Sequence, residues 1–271
     1  MPSQIIFLGT AGDSFVLSKQ EMFAGGIIIQ AENTQIHLNP GPGALVAAAL
    51  ARIDIRKTSA VIVTDNTLLH SHDTNVIIDI MTSGCFDAKG LLLGAKTALT
   101  QEKQEILPRI AKEYQNAVEK TIVLQEEIRI NYNDVQIEAV KIKNTDKSAV
   151  GIKIITPLFS LGYTGNTKYT TKLHEAFADV EVLIVELPLR HEEKKEEGLC
   201  VEEAEKLIRE VKPQLVVLTG FGISILKEDI LELTREINRK TNVQIVAAKQ
   251  GFSFDPTNYA VKLRQKRLQT F

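Results

Sequence analysis

Residues 60–73 read AVIVTDNTLLHSHD, and the reading of this stretch decides the rest. Residues 60–63 are a compact apolar run rich in β-branched side chains, the composition of a strand buried on both faces. Directly after it come Asp65, Thr67, His70, His72 and Asp73. Histidines and aspartates concentrated just past a buried strand have the outline of a metal-binding loop.

Upstream of this stretch, short apolar runs bounded by Gly, Asn or Asp predict strands at residues 4–8, 26–31 and 35–38; downstream, another falls at 90–93. Pro40-Gly41-Pro42-Gly43 is a turn cluster, and the alanine-rich residues 44–53 suit a helix lying close on a sheet. Residues 101–119 read as a charged helix interrupted near Pro108. Strands at 121–124, 127–131, 135–142, 150–156 and 158–163, with period-2 alternation in Val135-Gln136-Ile137-Glu138-Ala139-Val140, predict an antiparallel meander. In the last third, buried strands at 180–185, 215–219 and 243–247 alternate with helices at 201–211 and 227–240, where Val201, Ala204, Leu207, Ile208 and Val211 recur at helical spacing. Strands first, then helix and strand in alternation, predict an α/β (α+β) protein of two face-to-face sheets with helices outside: a four-layer αββα sandwich forming one domain over residues 1–271.

Composition narrows the function classes. Hydrophobic residues at 44% and charged residues at 24% are the balance of a globular protein with a sizeable core, so a disordered chain is excluded. The 32 basic and 34 acidic residues leave a net charge of −2, with no overall field to attract nucleic acid or an anionic membrane. The locally basic tail, residues 262–267, reads as a solvated terminal helix. Cys85 and Cys200 form neither a disulfide framework nor a zinc knuckle. No leader-like N-terminus and no apolar run near the ~20 residues of a membrane span are present, so a cytoplasmic location is expected.

Several landmarks in order along the chain resemble the metallo-β-lactamase fold superfamily, in its branch of small hydrolases and ribonuclease Z-like phosphodiesterases. Ile6-Phe7-Leu8-Gly9-Thr10-Ala11-Gly12 resembles the opening strand and glycine turn. Ile36-His37-Leu38-Asn39-Pro40-Gly41-Pro42-Gly43 resembles a hairpin strand and the turn that usually reads Asp-Pro-Gly. Gly162-Tyr163-Thr164-Gly165-Asn166-Thr167 stands where that family has a strand ending in Gly-Asp-Thr. Lys212 to Gly222 follows the family's passage from helix through proline and strand into a last histidine.

The resemblance implies a di-metal centre built on His-x-His-x-Asp-His after the buried strand, because two cations need imidazoles and carboxylates converging from several loops, with an open position for hydroxide. Aligned on the strand end, Asp65 stands for the first histidine, Thr67 for the second, Leu69 for the aspartate and His70 for the last. Asn144 takes the next histidine position, Asn166 the bridging aspartate and Gly220 the terminal histidine. Only His70 keeps its ligand type. Neutral residues at such positions are what a centre without cations requires, since carboxylates left clustered would repel one another. The expectation is a fold that has lost its di-metal hydrolase activity, a pseudoenzyme with no cofactor. Its role is binding or assembly: a homo-oligomer, a heteromer with an active relative, or the holding of a small anionic ligand or RNA, without a membrane.

The rival expectation is that ligands have moved rather than vanished. His70-x-His72 on an extended segment would aim both imidazoles to one side, and with Asp65 and Asp73 they would hold a single zinc for hydrolase or phosphodiesterase chemistry. Against it, His70 packs in the old pocket while His72 and Asp73 cap a helix starting near Thr74. Elsewhere, His37 reads as a core or surface histidine, His174 as solvated on a helix, His191 as the head of a solvated charge run to residue 197, and Cys200 as a small buried hydrophobe. The glycines after the first strand lack the third glycine of the dinucleotide fingerprint and the Gly-Lys of a phosphate loop.

Overall fold

A computed structural model describes residues 2–101, 107–192 and 198–260. The basic tail at 262–267 and most of the charge run after His191 lie outside the described residues.

The apolar runs become two seven-stranded sheets. The first is built from β1 (Gln4–Phe7), β2 (Ile27–Ala31), β3 (Thr34–Leu38), β4 (Ala60–Val63), β5 (Leu91–Ala95) and β6 (Lys120–Leu124). The second contains β7 (Arg129–Tyr132), β8 (Val135–Lys141), β9 (Val150–Ile155), β10 (Ser160–Tyr163), β11 (Val182–Glu186), β12 (Leu215–Thr219) and β13 (Gln244–Ala247). A short β14 (Ser253–Phe254) returns to pair antiparallel with β1, so the chain closes the first sheet after finishing the second. In each sheet an antiparallel part leads into a parallel part, β3 to β6 in one and β10 to β13 in the other.

Side-chain alternation along the strands divides the apolar residues between two surfaces of each sheet. Inward, Phe7, Ile29, Ile36, Leu38 and Ile62 of the first sheet share one buried cluster with Ile137, Ile152, Ile154, Ile184 and Val217 of the second. Outward, Ile28, Val61 and Val63 pack on Ala44, Ala47 and Ala48 and on Ile77, Ile78 and Met81. On the opposite surface Leu183, Val185 and Leu218 pack on Leu207, Ile208, Leu233 and Ile237. These helices, Ala44–Leu50, Thr74–Met81, Val201–Val211 and Ile230–Thr241, form the two outer layers, giving the αββα order. Among the described residues no helix is long and apolar enough to cross a membrane.

Two local readings are corrected and two short helices are added. Residues 120–124 do not open the meander; β6 runs parallel to β5 in the first sheet, and the antiparallel run begins at β7. Within residues 101–119 the described helix is only Lys112–Ala117, because past Pro108 the chain turns Ile110 down into the core before it can coil. Short helices at Ser14–Ser18 and Ile223–Leu226 have too few turns for a periodic signal. Both are held by Asp13, whose two carboxylate oxygens accept from the amides of Val16 at 2.7 Å and Ile223 at 2.6 Å. This side chain fastens the turn after β1 to the turn after β12, beside a bridge between Ala11 and Phe221.

Candidate functional site

The parallel strands of both sheets end toward one cleft, and the polar residues singled out in the sequence sit at those ends. Asn39 follows β3 and Thr64 and Asp65 follow β4, whereas Tyr163 ends β10 and Glu186 ends β11. Gly41 lets the proline-rich turn press against the 67–71 segment: a Cβ there would lie 1.7 Å from the Leu69 carbonyl oxygen. The short helix Leu68–Ser71 is thereby seated so that His70 points into the cleft.

The side chains form a continuous chain of hydrogen bonds. Asp65 Oδ2 lies 2.5 Å from His70 Nδ1, and its other oxygen accepts from the Thr67 amide at 2.8 Å. On the far side of the ring, His70 Nε2 meets Glu186 Oε1 at 3.0 Å. The same glutamate oxygen accepts the Tyr163 hydroxyl at 2.6 Å. Asn39 then donates to the Tyr163 oxygen at 2.9 Å and to Thr64 Oγ1 at 2.8 Å, while accepting the Thr64 amide at 2.8 Å.

Burial alone would disfavour charge on His70, but the Asp65 and Glu186 carboxylates outweigh it and hold the imidazole well above its ordinary pKa. Burial likewise pushes against ionised Asp65, and the His70 charge with bonds from His70 and Thr67 brings its carboxyl below the usual range. Tyr163 is raised well above the ordinary phenol value, first by burial and then by Glu186. The surroundings thus favour the charged form of His70 beside Asp65 and Glu186 and the neutral form of Tyr163.

This donor set does not fit a pair of divalent cations. Both ring nitrogens of His70 are taken up by carboxylate oxygens, Asp65 Oδ2 at 2.5 Å and Glu186 Oε1 at 3.0 Å. Thr67 is exposed and contributes its amide to Asp65, and Leu69 presents an isobutyl group to the pocket. Asn144 donates to the Asn166 carbonyl at 2.7 Å and accepts the Asp146 amide at 2.8 Å, making a loop clasp. Asn166 Oδ1 is buried without a partner among the described residues. Gly220, at φ +63°, lines the pocket with no side chain, and Glu186 fills the space beside it: a Cβ at 220 would stand 3.1 Å from Glu186 Cγ. Among the described residues no group of three or more His, Cys, Asp and Glu side chains is arranged to hold a metal ion.

The structure brings Asp65 and His70 together but not His72 and Asp73 with them. His72 is exposed, its Nδ1 2.9 Å from Asp73 Oδ1, and Asp73 accepts the Gly43 amide at 3.1 Å. Asp73 therefore ties the proline-rich turn instead of capping its own helix with its side chain. His37 is fully buried, His174 pairs with Glu210, and His191 is exposed beside Glu202. Burial pushes the Cys200 thiol up to about 11, so it is no nucleophile at neutral pH.

Glu186 and Tyr163 were not marked as functional residues by the sequence. The available signal was an acidic residue closing an otherwise apolar strand, Val182-Leu183-Ile184-Val185-Glu186. The cavity between these side chains is about 30 Å³ and is lined also by Gly9, Thr10, Thr219 and Gly220.

Two sheets, outer helices and a site at the strand ends define a class, and comparison with known proteins identifies it as the metallo-β-lactamase fold. The metallo-beta-lactamase fold protein YhfI from Bacillus subtilis superposes with a TM-score of 0.75 over 94% of this chain and 99% of its own, at 15% identity. A diphosphatase from the PhnP family superposes at 0.66 over 94% and 97%, also at 15% identity. The chain has this fold, and its structural neighbours include metal-dependent hydrolases. An uncharacterised protein of Methanocaldococcus jannaschii, MJ1374, is 26% identical over 260 residues, 95% of this chain and 97% of that one. No family model matches the chain.

Proposed function

We propose that this protein has kept the metallo-β-lactamase fold without its di-metal hydrolase chemistry and works by binding or assembly. A shared scaffold does not carry a shared reaction, because the reaction belongs to the site. The observation that supports this reading is the engagement of His70, the one retained ligand type, by Asp65 at 2.5 Å and Glu186 at 3.0 Å. Thr67, Leu69, Asn144, Asn166 and Gly220 supply no replacement donors to the same point.

Two acidic side chains, Asp65 and Glu186, flank the single imidazole and disfavour a small anion, and a cavity of about 30 Å³ does not admit a nucleotide. Binding is therefore assigned to the outer surface, with a second copy of the chain or an active relative as partner. Val46 and Leu50 on one helix and Val76 on the next expose apolar side chains over the first sheet, in keeping with such a contact.

Elemental analysis of protein purified without chelator tests the loss of metal chemistry. The expected content is far below one equivalent of zinc, manganese or iron, and a stoichiometric metal would overturn the reading in favour of a hydrolase. Light scattering at native concentration tests the assembly role: a defined oligomer is expected, and a monomer with no co-purifying partner would refute it.

A further inference from the structure

The hydrogen bonds at the cleft run in one chain from sheet to sheet. From Asp65 the path runs through His70, Glu186, Tyr163 and Asn39 to Thr64, the sequence neighbour of Asp65, whose hydroxyl lies 3.1 Å from Asn39 Oδ1. Asn39, Thr64, Asp65 and His70 follow strands of the first sheet, whereas Tyr163 and Glu186 end strands of the second. Two links cross between the sheets, His70 to Glu186 at 3.0 Å and Asn39 to Tyr163 at 2.9 Å.

With Asp65 and Glu186 ionised, the donors and acceptors admit one consistent assignment. Asn39 spends both amide hydrogens, one on Thr64 Oγ1 and one on the Tyr163 oxygen, so the phenol must donate onward to Glu186. Glu186 Oε1 accepts from Tyr163 and from His70, and Asp65 accepts from the other side of the ring. Carboxylates only accept, so each nitrogen of His70 carries a hydrogen. Room for the glutamate exists because position 220 is a glycine in a left-handed conformation. Asn39, Thr64, Asp65 and Tyr163 are all buried, so leaving any one unpaired is costly.

We infer that this chain of hydrogen bonds is a metal-free latch: His70 and Glu186, backed by Tyr163 and Asn39, tie the loops of the two sheets across the cleft where bound metals would otherwise join them. Glu186 and Tyr163 are its key positions, and neither lies at a ligand position of the fold. The latch rests on the proposed loss of the di-metal centre and adds what took over the joining of the sheets.

A double-mutant cycle on the full chain, in EDTA at pH 7, tests it. Glu186→Gln and His70→Gln are each expected to lower the folding equilibrium constant about 100-fold, because each breaks a charge-assisted link between the two sheets. The double variant is expected to lose at least tenfold less than the product of the two. Tyr163→Phe removes one hydroxyl and is expected to cost about tenfold, which keeps the test open should Glu186→Gln fail to fold. Nitrogen-15 spectra of the wild-type imidazole are expected to show both His70 nitrogens protonated at pH 7.5, a signature that Glu186→Gln weakens.

Independent, multiplicative losses would overturn the latch, as would stabilisation of the EDTA-treated protein by equimolar zinc with loss of the doubly protonated signal. Phosphodiester hydrolysis that persists in EDTA with the coupling intact would instead refute the proposed function and leave the latch standing.

Discussion

Putting a histidine back at position 220 separates two readings of its glycine: mere absence of a ligand, or a requirement of the rebuilt site. Gly220 has φ +63°, and an ideal Cβ would lie 3.1, 3.2 and 3.4 Å from Cγ, Cβ and Cδ of Glu186. A left-handed backbone costs a residue with a side chain about 1–2 kcal/mol, and histidine falls near the lower end because it enters that region more readily than most. Forcing an imidazole into space held by the Glu186 stem adds about 1–3 kcal/mol of overpacking. The expected loss for Gly220→His is therefore about 2–4 kcal/mol. Equilibrium urea unfolding at pH 7 reads it as a lower midpoint with an unchanged slope. Repeated in a Glu186→Ala background, the same substitution is expected to cost only about 1 kcal/mol, the backbone part alone. A loss below about 1 kcal/mol in the native background, or an equal loss in both, would refute the claim that Glu186 and a side chain at 220 exclude each other.

Stability is also expected to fall in mild acid through His37. Its Nε2 donates to the Gly25 carbonyl at 2.9 Å, Nδ1 has no partner among the described residues, and burial lowers the pKa from 6.5 to about 4. The unfolded chain takes up this proton first, so the contribution is complete above about pH 6.5 and is lost as pH falls toward about 4, about 3 kcal/mol in all. Urea midpoints across that range should flatten in His37→Gln; parallel profiles for the two proteins would sink the assignment. Asp13→Ala removes an acceptor from two helix starts and is expected to cost about 2 kcal/mol by the same assay, with a loss under about 0.5 kcal/mol counting against the double cap. A thiol reagent at pH 7.5 is expected to modify part-exposed Cys85 while sparing Cys200, whose thiol burial pushes up to about 11. Two equally fast thiols in the folded protein would contradict that placement.

The fold was legible because its signals are local. Ala60–Val63, Leu215–Thr219 and Val201–Val211 carry period and composition strong enough to place them to the residue. Legibility failed where pairing depends on distant chain. Nothing in Lys120–Leu124 announces that it belongs with β5 rather than with the meander that follows it. In the site, the sequence placed Asp65 and His70 just past a buried strand, where they meet at 2.5 Å, and it marked Leu69 as a side chain without a donor atom. Those are statements about residue chemistry, which does not depend on where a side chain ends up.

Which side chains meet at the strand ends was decided only by tertiary structure. Glu186 is 116 positions from His70, and Tyr163 is 124 from Asn39. Each looks in sequence like an ordinary residue closing a strand, and only the packing of two sheets brings four strand ends to one cleft. The raised pKa of His70 has the same origin: an imidazole by itself titrates near neutrality, and the two acidic side chains that raise it come from different sheets. Sequence determined which groups were present, and the fold determined which of them had to share a buried space.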